Sequence, residues 1–198
     1  MKVLNYFDYN SYVTLTMFFI SLFVLILGYI TNGKSTNYLF STQRASLLNP
    51  RTYIRLFTHI LGHSNFKHFS NNYLMILLLG PLIEEKYGWL NYLIMILLTA
   101  FITGIVNFIK GNTNLKGSSN IVFMLIVLSA FVNVTESKIP LTLVLVVLFY
   151  VINEIRDMGK NDDIAHYGHV TGAICGLIFG FLSLKGNLID IIINLFKI

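Results

Sequence analysis

Charge is scarce in this chain. Only 12% of its 198 residues are Asp, Glu, Lys or Arg, and 55% are hydrophobic, whereas soluble domains carry roughly 25% charged residues. That deficit excludes a soluble globular domain and leaves a polytopic, multi-pass membrane protein. Cysteine is almost missing as well. Cys175 stands alone inside an apolar segment, so no internal disulfide and no CxxC metal or redox motif can form. Lys and Arg (14) outnumber Asp and Glu (9), yet they never gather into a run. Without a basic cluster there is no nucleic-acid partner to expect, and the excess suits anchoring at a lipid bilayer surface. Internal repeats and low-complexity tracts are also absent.

What is present is a series of apolar stretches bounded by polar residues, Gly or Pro, at about 12–30, 68–87, 89–109, 118–135, 139–155 and 164–184. The first is longer than a signal-peptide core and no A-x-A-like site follows it, so it reads as a retained span. The expected fold is all-α: a six-helix membrane domain over 12–185, after an N-terminal tail 1–11 and before a tail 186–198. The one long connection, Thr31 to Lys67, mixes aromatic and aliphatic residues with Arg44, Arg51 and Arg55, as amphipathic pieces in the headgroup layer would. In the last tail Asn187, Asp190, Asn194 and Lys197 fall on one helical stripe, the pattern of a flat interfacial helix.

Basic residues bear on orientation. Lys2, Lys86, Lys138, Lys185 and Lys197 fall on the side of the N-terminus. Lys34, Arg44, Arg51, Arg55, Lys67, Lys110, Lys116, Arg156 and Lys160 fall on the other. The larger second group favours an N-terminus outside the cell.

All five histidines lie in two clusters: His59, His63 and His68 entering the second stretch, His166 and His169 entering the sixth. Polar residues are costly in lipid and tend to face an interior cavity. His68 and Asn72 share one helical face, where they could tie this helix to a neighbour. Glu84 lies ~18 Å further along the helix, at the opposite membrane face, and reads as structural. The sixth stretch carries Gly168, Gly172, Gly176 and Gly180 at steps of four, a strip that lets two helices approach closely in lipid. It would carry His169 toward its neighbour, for which the fourth stretch is the natural candidate. That stretch opens "KGSSN", and a helix from Ser119 to Val134 would span only ~24 Å of the ~30 Å hydrocarbon layer. Ser119 would then start below the surface. Gly-Ser-Ser can be packing or capping, but a serine near a histidine also supplies the two components of an activated nucleophile.

Together these residues closely resemble the rhomboid family of intramembrane serine proteases, over about residues 50–184. "HSNFKHFSNNYLMILLLGPLIEEKYG" is similar to the family's H-x4-H-x3-N followed by G-x3-E, at His63, His68, Asn72, Gly80 and Glu84. Gly117-Ser118-Ser119 resembles the G-x-S of the nucleophile helix. "AHYGHVTGAICG" resembles the signature of the catalytic histidine, at His169, Gly172 and Gly176.

The resemblance implies a dyad with Ser119 as nucleophile and His169 as general base. It also implies an oxyanion hole from His68, Asn72 and the Ser119 N–H. Gly117, Phe123, His63 and Glu84 would support the site, with Phe123 standing where similar enzymes often set an aromatic ring against the histidine. No cofactor and no metal are expected, and the substrates would be transmembrane proteins. The location implied is a cell membrane of bacterial type, with the N-terminus in the cytoplasm, against the charge distribution. No residue pattern specifies an oligomeric state.

Rivals and departures accompany this reading. His166 competes with His169, and the spacing to Gly172 and Gly176 favours His169. Ser118 competes with Ser119 but is turned ~100° around the helix. Asp162 and Asp163 are expected to cap the sixth helix, and Asp163 could pair with His166. His59 and His63 read as a hydrogen-bonding layer below the first loop. A metal site there lacks H-E-x-x-H and carboxylates at zinc spacing. Asn120 replaces the usual glycine after the nucleophile, and Ile54-Arg55 replaces a common Trp-Arg pair. The alternative function is an inactive rhomboid-like protein that binds membrane clients.

Overall fold

The computed structural model describes residues 8–110, 114–134, 139–157 and 166–195. They form α1 (Tyr12–Ile30), α2 (Lys34–Leu39), α3 (Pro50–Thr58) running into a 3-10 turn (His59–Leu61), α4 (Phe66–Tyr87) and α5 (Trp89–Lys110). Then come α6 (Ser119–Ser129), α7 (Leu141–Val146), a π-helical turn (Val147–Val151), α8 (Ile152–Asp157), α9 (His166–Ser183) and α10 (Leu188–Leu195). The architecture is all-helical among the described residues, and α1 and α5 are each long and apolar enough to cross a membrane. The first seven residues, Asp162, Asp163 and Lys197 lie outside the described residues.

Two stretches differ from the expected continuous helices. The fourth ends at Ser129 after 11 residues, a length of about 16 Å. Ser129 Oγ donates to the Ile126 carbonyl at 2.8 Å, and the backbone tightens as Ala130 N bonds Val127 O and Phe131 N bonds Leu128 O. A serine bonding back to its own turn weakens the helix it belongs to, and such short-range bonds close a final turn. In the fifth, the π-helical turn interrupts a run rich in valine. Branching at Cβ crowds the preceding turn and lowers helix propensity.

α6 is the centre of the bundle. Ile121, Met124, Leu125, Val127 and Leu128 are all fully buried, as suits a helix apolar all round. Along it runs α9, approached through its glycines. A Cβ on Gly172 would lie 2.0 Å from Asn120 O, one on Gly176 2.6 Å from Met124 O, and one on Gly180 2.4 Å from the Phe131 ring. The rising register makes α6 and α9 parallel, with both N-termini at one end.

α1 and α4 are antiparallel, and each end has a polar tie. Near the end of α4, Glu84 Oε1 accepts from Val13 N at 2.8 Å, and Oε2 accepts from Thr14 N at 3.1 Å and Thr14 Oγ1 at 3.0 Å. A carboxyl group thus satisfies the orphan N–H groups that open α1. Gly80 makes room, since a Cβ there would meet Thr14 Oγ1 at 2.7 Å. At the other end Phe66 N donates to Tyr29 Oη at 2.8 Å.

The first loop folds against the same end. Arg55 donates to the carbonyls of Asn37 and Tyr38 at 2.8–2.9 Å, closing α2 onto α3. Phe57 stacks on Phe101 of α5, with ring centroids 5.3 Å apart. Thr42 and Leu115 exchange two backbone bonds of 2.8 and 2.9 Å, pinning the segment that leads into α6.

Replacing Glu84 by Ala leaves one buried and one part-buried N–H group and a buried hydroxyl without their acceptor. Hydrogen bonds to carboxylates contribute roughly 1.5–3 kcal/mol each and are not additive, so a loss of about 2–4 kcal/mol is expected. It is read as a lower unfolding midpoint of the detergent-solubilised protein.

Candidate active site

Gly117 sets the geometry of the polar end. Its φ of +115° is a conformation that favours glycine. A Cβ there would meet His68 Cε1 and Nε2 at 2.7 Å and Asn72 Nδ2 at 3.5 Å. The chain entering α6 therefore passes directly against the imidazole and amide that α4 presents one turn apart. Gly117 N donates to the His59 carbonyl at 2.9 Å, and Asn65 caps α4 by accepting from His68 N at 2.8 Å.

Ser118 and Ser119 have different surroundings. Ser118 is fully buried, and its hydroxyl lies 3.3 Å from His63 Nε2, the nitrogen that also takes Asn72 Nδ2 at 3.2 Å. His63 Nδ1 lies 3.3 Å from the Leu61 carbonyl and must donate there, which leaves Nε2 as the acceptor for both. Ser119 is the first residue of α6 and only partly buried. Its hydroxyl has no hydrogen-bond partner among the described residues.

Burial holds two imidazoles of the first loop in their neutral form. The pKa of His59 is pushed down to about 4. That of His63 is pushed down to about 3, by burial first and then by neighbouring His68.

On the opposite wall, His169 of α9 lies against Phe123 of α6, with ring centroids 4.4 Å apart and planes 10° from parallel. Phe123 is one turn beyond Ser119 on the same helix, so this stack holds His169 over the face on which Ser119 begins. His169 Nδ1 is 2.9 Å from Glu154 Oε2 of α8, and His166 Nδ1 is 2.7 Å from the same oxygen. Each Nδ1 donates to the carboxylate, which leaves Nε2 of His169 with its lone pair available. No hydrogen bond joins Ser119 to His169. Lys110 Nζ sits 4.3 Å from the Tyr167 ring centroid, closing the end of α5 over the start of α9.

Glu154 was not among the residues singled out in the sequence. Its signal was available, as the single carboxylate inside the stretch 139–155, and an acid inside an apolar span is a functional candidate by default. Glu154, His166 and His169 are also the described group with metal-donor chemistry, their three donor atoms lying within 4.8 Å of one another. Asn120 is 2% exposed, and neither atom of its amide has a hydrogen-bond partner among the described residues. Its side chain is therefore enclosed near the α6–α9 seam. A cavity of about 190 Å³ lies behind His63, lined by Tyr29, Thr36, Asn37 and Lys116 among others; Ser119 and His169 are not part of its wall.

The described residues thus define an all-helical bundle, two of whose helices are long and apolar enough to cross a membrane, with serine, histidine and amide side chains gathered at one end. Residues 50–186 match the rhomboid domain, and the chain belongs to the rhomboid family, whose members are in general intramembrane serine proteases. A search of curated proteins found no match.

Both loop imidazoles have lowered pKa values in the folded state, so the unfolded chain binds more protons once pH drops below about 6.5. Stability is therefore complete above that value and falls as pH decreases toward about 4 for His59 and about 3 for His63. Unfolding midpoints measured from pH 7 to pH 4 should decline with a slope that His59→Asn makes shallower.

Proposed function

We propose that this protein is an intramembrane serine endopeptidase that cleaves transmembrane segments of other membrane proteins. The observation that carries this reading is the stack of Phe123 on His169 at 4.4 Å. It sets an imidazole with an available Nε2 over the face of α6 that begins with a partly exposed serine hydroxyl. The six spans are the stretches at about 12–30, 68–87, 89–109, 118–135, 139–155 and 164–184. The first loop and α10 lie in the headgroup layers.

In the first half-reaction His169 Nε2 takes the proton of Ser119 Oγ, which attacks the scissile carbonyl carbon. The carbonyl oxygen becomes an oxyanion. The N–H of Ser119, His68 and the second amide hydrogen of Asn72 receive it. His63 holds Asn72 in position through the 3.2 Å bond to its other amide hydrogen. The tetrahedral intermediate collapses as His169 returns the proton to the leaving amine. Water then attacks the acyl-serine by the same route in reverse. Glu154 is a positioning residue: its carboxylate keeps the proton on His169 Nδ1 and stabilises the imidazolium formed when Nε2 is protonated. The Ser119–His169 hydrogen bond forms with bound substrate, as catalytic bonds that are long in free enzymes tighten in the complex.

The alternative is a rhomboid protein that binds clients without cutting them. It is favoured by the absent Ser119–His169 bond and by Asn120 in place of glycine. Cleavage of a transmembrane reporter by the purified protein separates the two. Cutting should disappear in Ser119→Ala and in His169→Ala, and survive a chelator. Asn72→Ala should slow it by roughly 10²–10³-fold, the loss expected for one oxyanion donor. Client binding with no cutting by any form would support the alternative.

Glu154→Gln removes the charge and keeps the shape. It should lower kcat by roughly 10–10²-fold with KM little changed, because orienting the base acts on the chemical step. Glu154→Asp should recover part of the loss.

A further inference from the structure

We propose that Glu154, His166 and His169 form a zinc site whose occupation switches the peptidase off. The inhibitory half of this proposal rests on His169 being the general base; the binding half does not.

The three donors come from two elements. His166 and His169 are one turn apart on α9, so both rings reach the same side of the helix, and Glu154 reaches them from α8. Their donor atoms lie within 4.8 Å of one another, and both Nδ1 atoms already point at one carboxylate oxygen, at 2.7 and 2.9 Å. Side-chain exposures of 7% for His166, 19% for Glu154 and 13% for His169 describe a site that is largely desolvated yet reachable.

Two imidazoles and a carboxylate are a donor set that suits zinc with one position left for water. Magnesium and calcium prefer all-oxygen shells. Zinc bonds of about 2.0–2.2 Å in tetrahedral geometry separate the ligands by roughly 3.3 Å. The carboxylate must therefore retreat by about half an ångström, and the two imidazole nitrogens, within 4.8 Å of one another, must come to the same spacing, both by side-chain rotation. The Phe123 stack at 4.4 Å fixes the plane of the His169 ring while this happens.

Occupation has a definite chemical consequence. Zinc takes the Nδ1 lone pair of His169, and the single proton of the neutral ring moves to Nε2. A protonated Nε2 can donate a hydrogen bond but cannot accept the proton of Ser119. Glu154 is withdrawn from its orienting role by the same event. The metal therefore acts on the base itself.

Equilibrium dialysis of the purified full chain against buffered zinc tests the site directly. Wild type and Ser119→Ala should each take up one zinc. His166→Ala and Glu154→Gln, chosen to unfold at the wild-type temperature in the absence of zinc, should bind at least ten-fold more weakly. Cobalt in place of zinc should give the absorption bands of a tetrahedral site, lost in His166→Ala. Reporter cleavage by wild type should fall over the same zinc range and return with chelator. No zinc on wild type, or equal affinity in His166→Ala, overturns the site. Zinc held by these residues with cleavage undiminished overturns the inhibition. If Ser119→Ala cuts as fast as wild type, the peptidase reading fails, while the dialysis still decides the metal site.

Discussion

The arrangement depends on how closely α9 lies on α6. A single methyl on Gly172 would sit 2.0 Å from the Asn120 carbonyl oxygen, so the two backbones are near the limit of approach. In lipid there is little hydrophobic drive between helices, and packing of small residues supplies much of the association. The glycine steps on α9 turn that association into a register. Gly172 meets Asn120, Gly176 meets Met124 and Gly180 meets Phe131. Once that register is set, His169 has one place to go, against Phe123 and over the start of α6. A longer side chain on the strip would separate the helices and leave the serine and the imidazole on different surfaces.

Polar ties fix both ends of the bundle. At one end Glu84 gathers the open N–H groups of α1, which fixes α1 against α4. At the other, His63 accepts from both Asn72 and Ser118. The two adjacent serines thus divide their tasks. Ser118 closes the hydrogen-bonding layer below the site, and Ser119 keeps its hydroxyl unengaged at the edge of the helix. In the proposed reaction the same division explains why His63 influences the chemistry without touching a substrate: it holds an oxyanion donor and the residue before the nucleophile at once.

Much of this was readable from residue order because it rests on local periodicity. Tyr12–Ile30 appears as α1 with the boundaries its apolar run suggests, and the i, i+4 relation of His68 to Asn72 survives as a shared face. The glycine spacing pointed to a close helix contact. The unread parts were those decided by contacts across the bundle. Ser129 ends α6 early through a bond to its own turn, and a valine-rich run gives way to a π-helical turn, neither of which an apolar count can see. Glu154 was passed over because its partners, His166 and His169, are twelve and fifteen residues away and meet it only in the folded bundle. Asn120, which replaces the usual glycine, is enclosed, and its backbone lies against Gly172 across the bundle, a contact that residue order does not display.

The central claim is that Ser119 is a nucleophile activated by His169. A fluorophosphonate probe tests it without any knowledge of the substrate. An activated serine hydroxyl displaces fluoride and keeps the phosphonyl group, which mass spectrometry of the purified protein can locate. Labelling of Ser119 alone, abolished in His169→Ala, is the predicted result. Labelling on Ser118, or of Ser119 at the same rate without His169, would contradict the account.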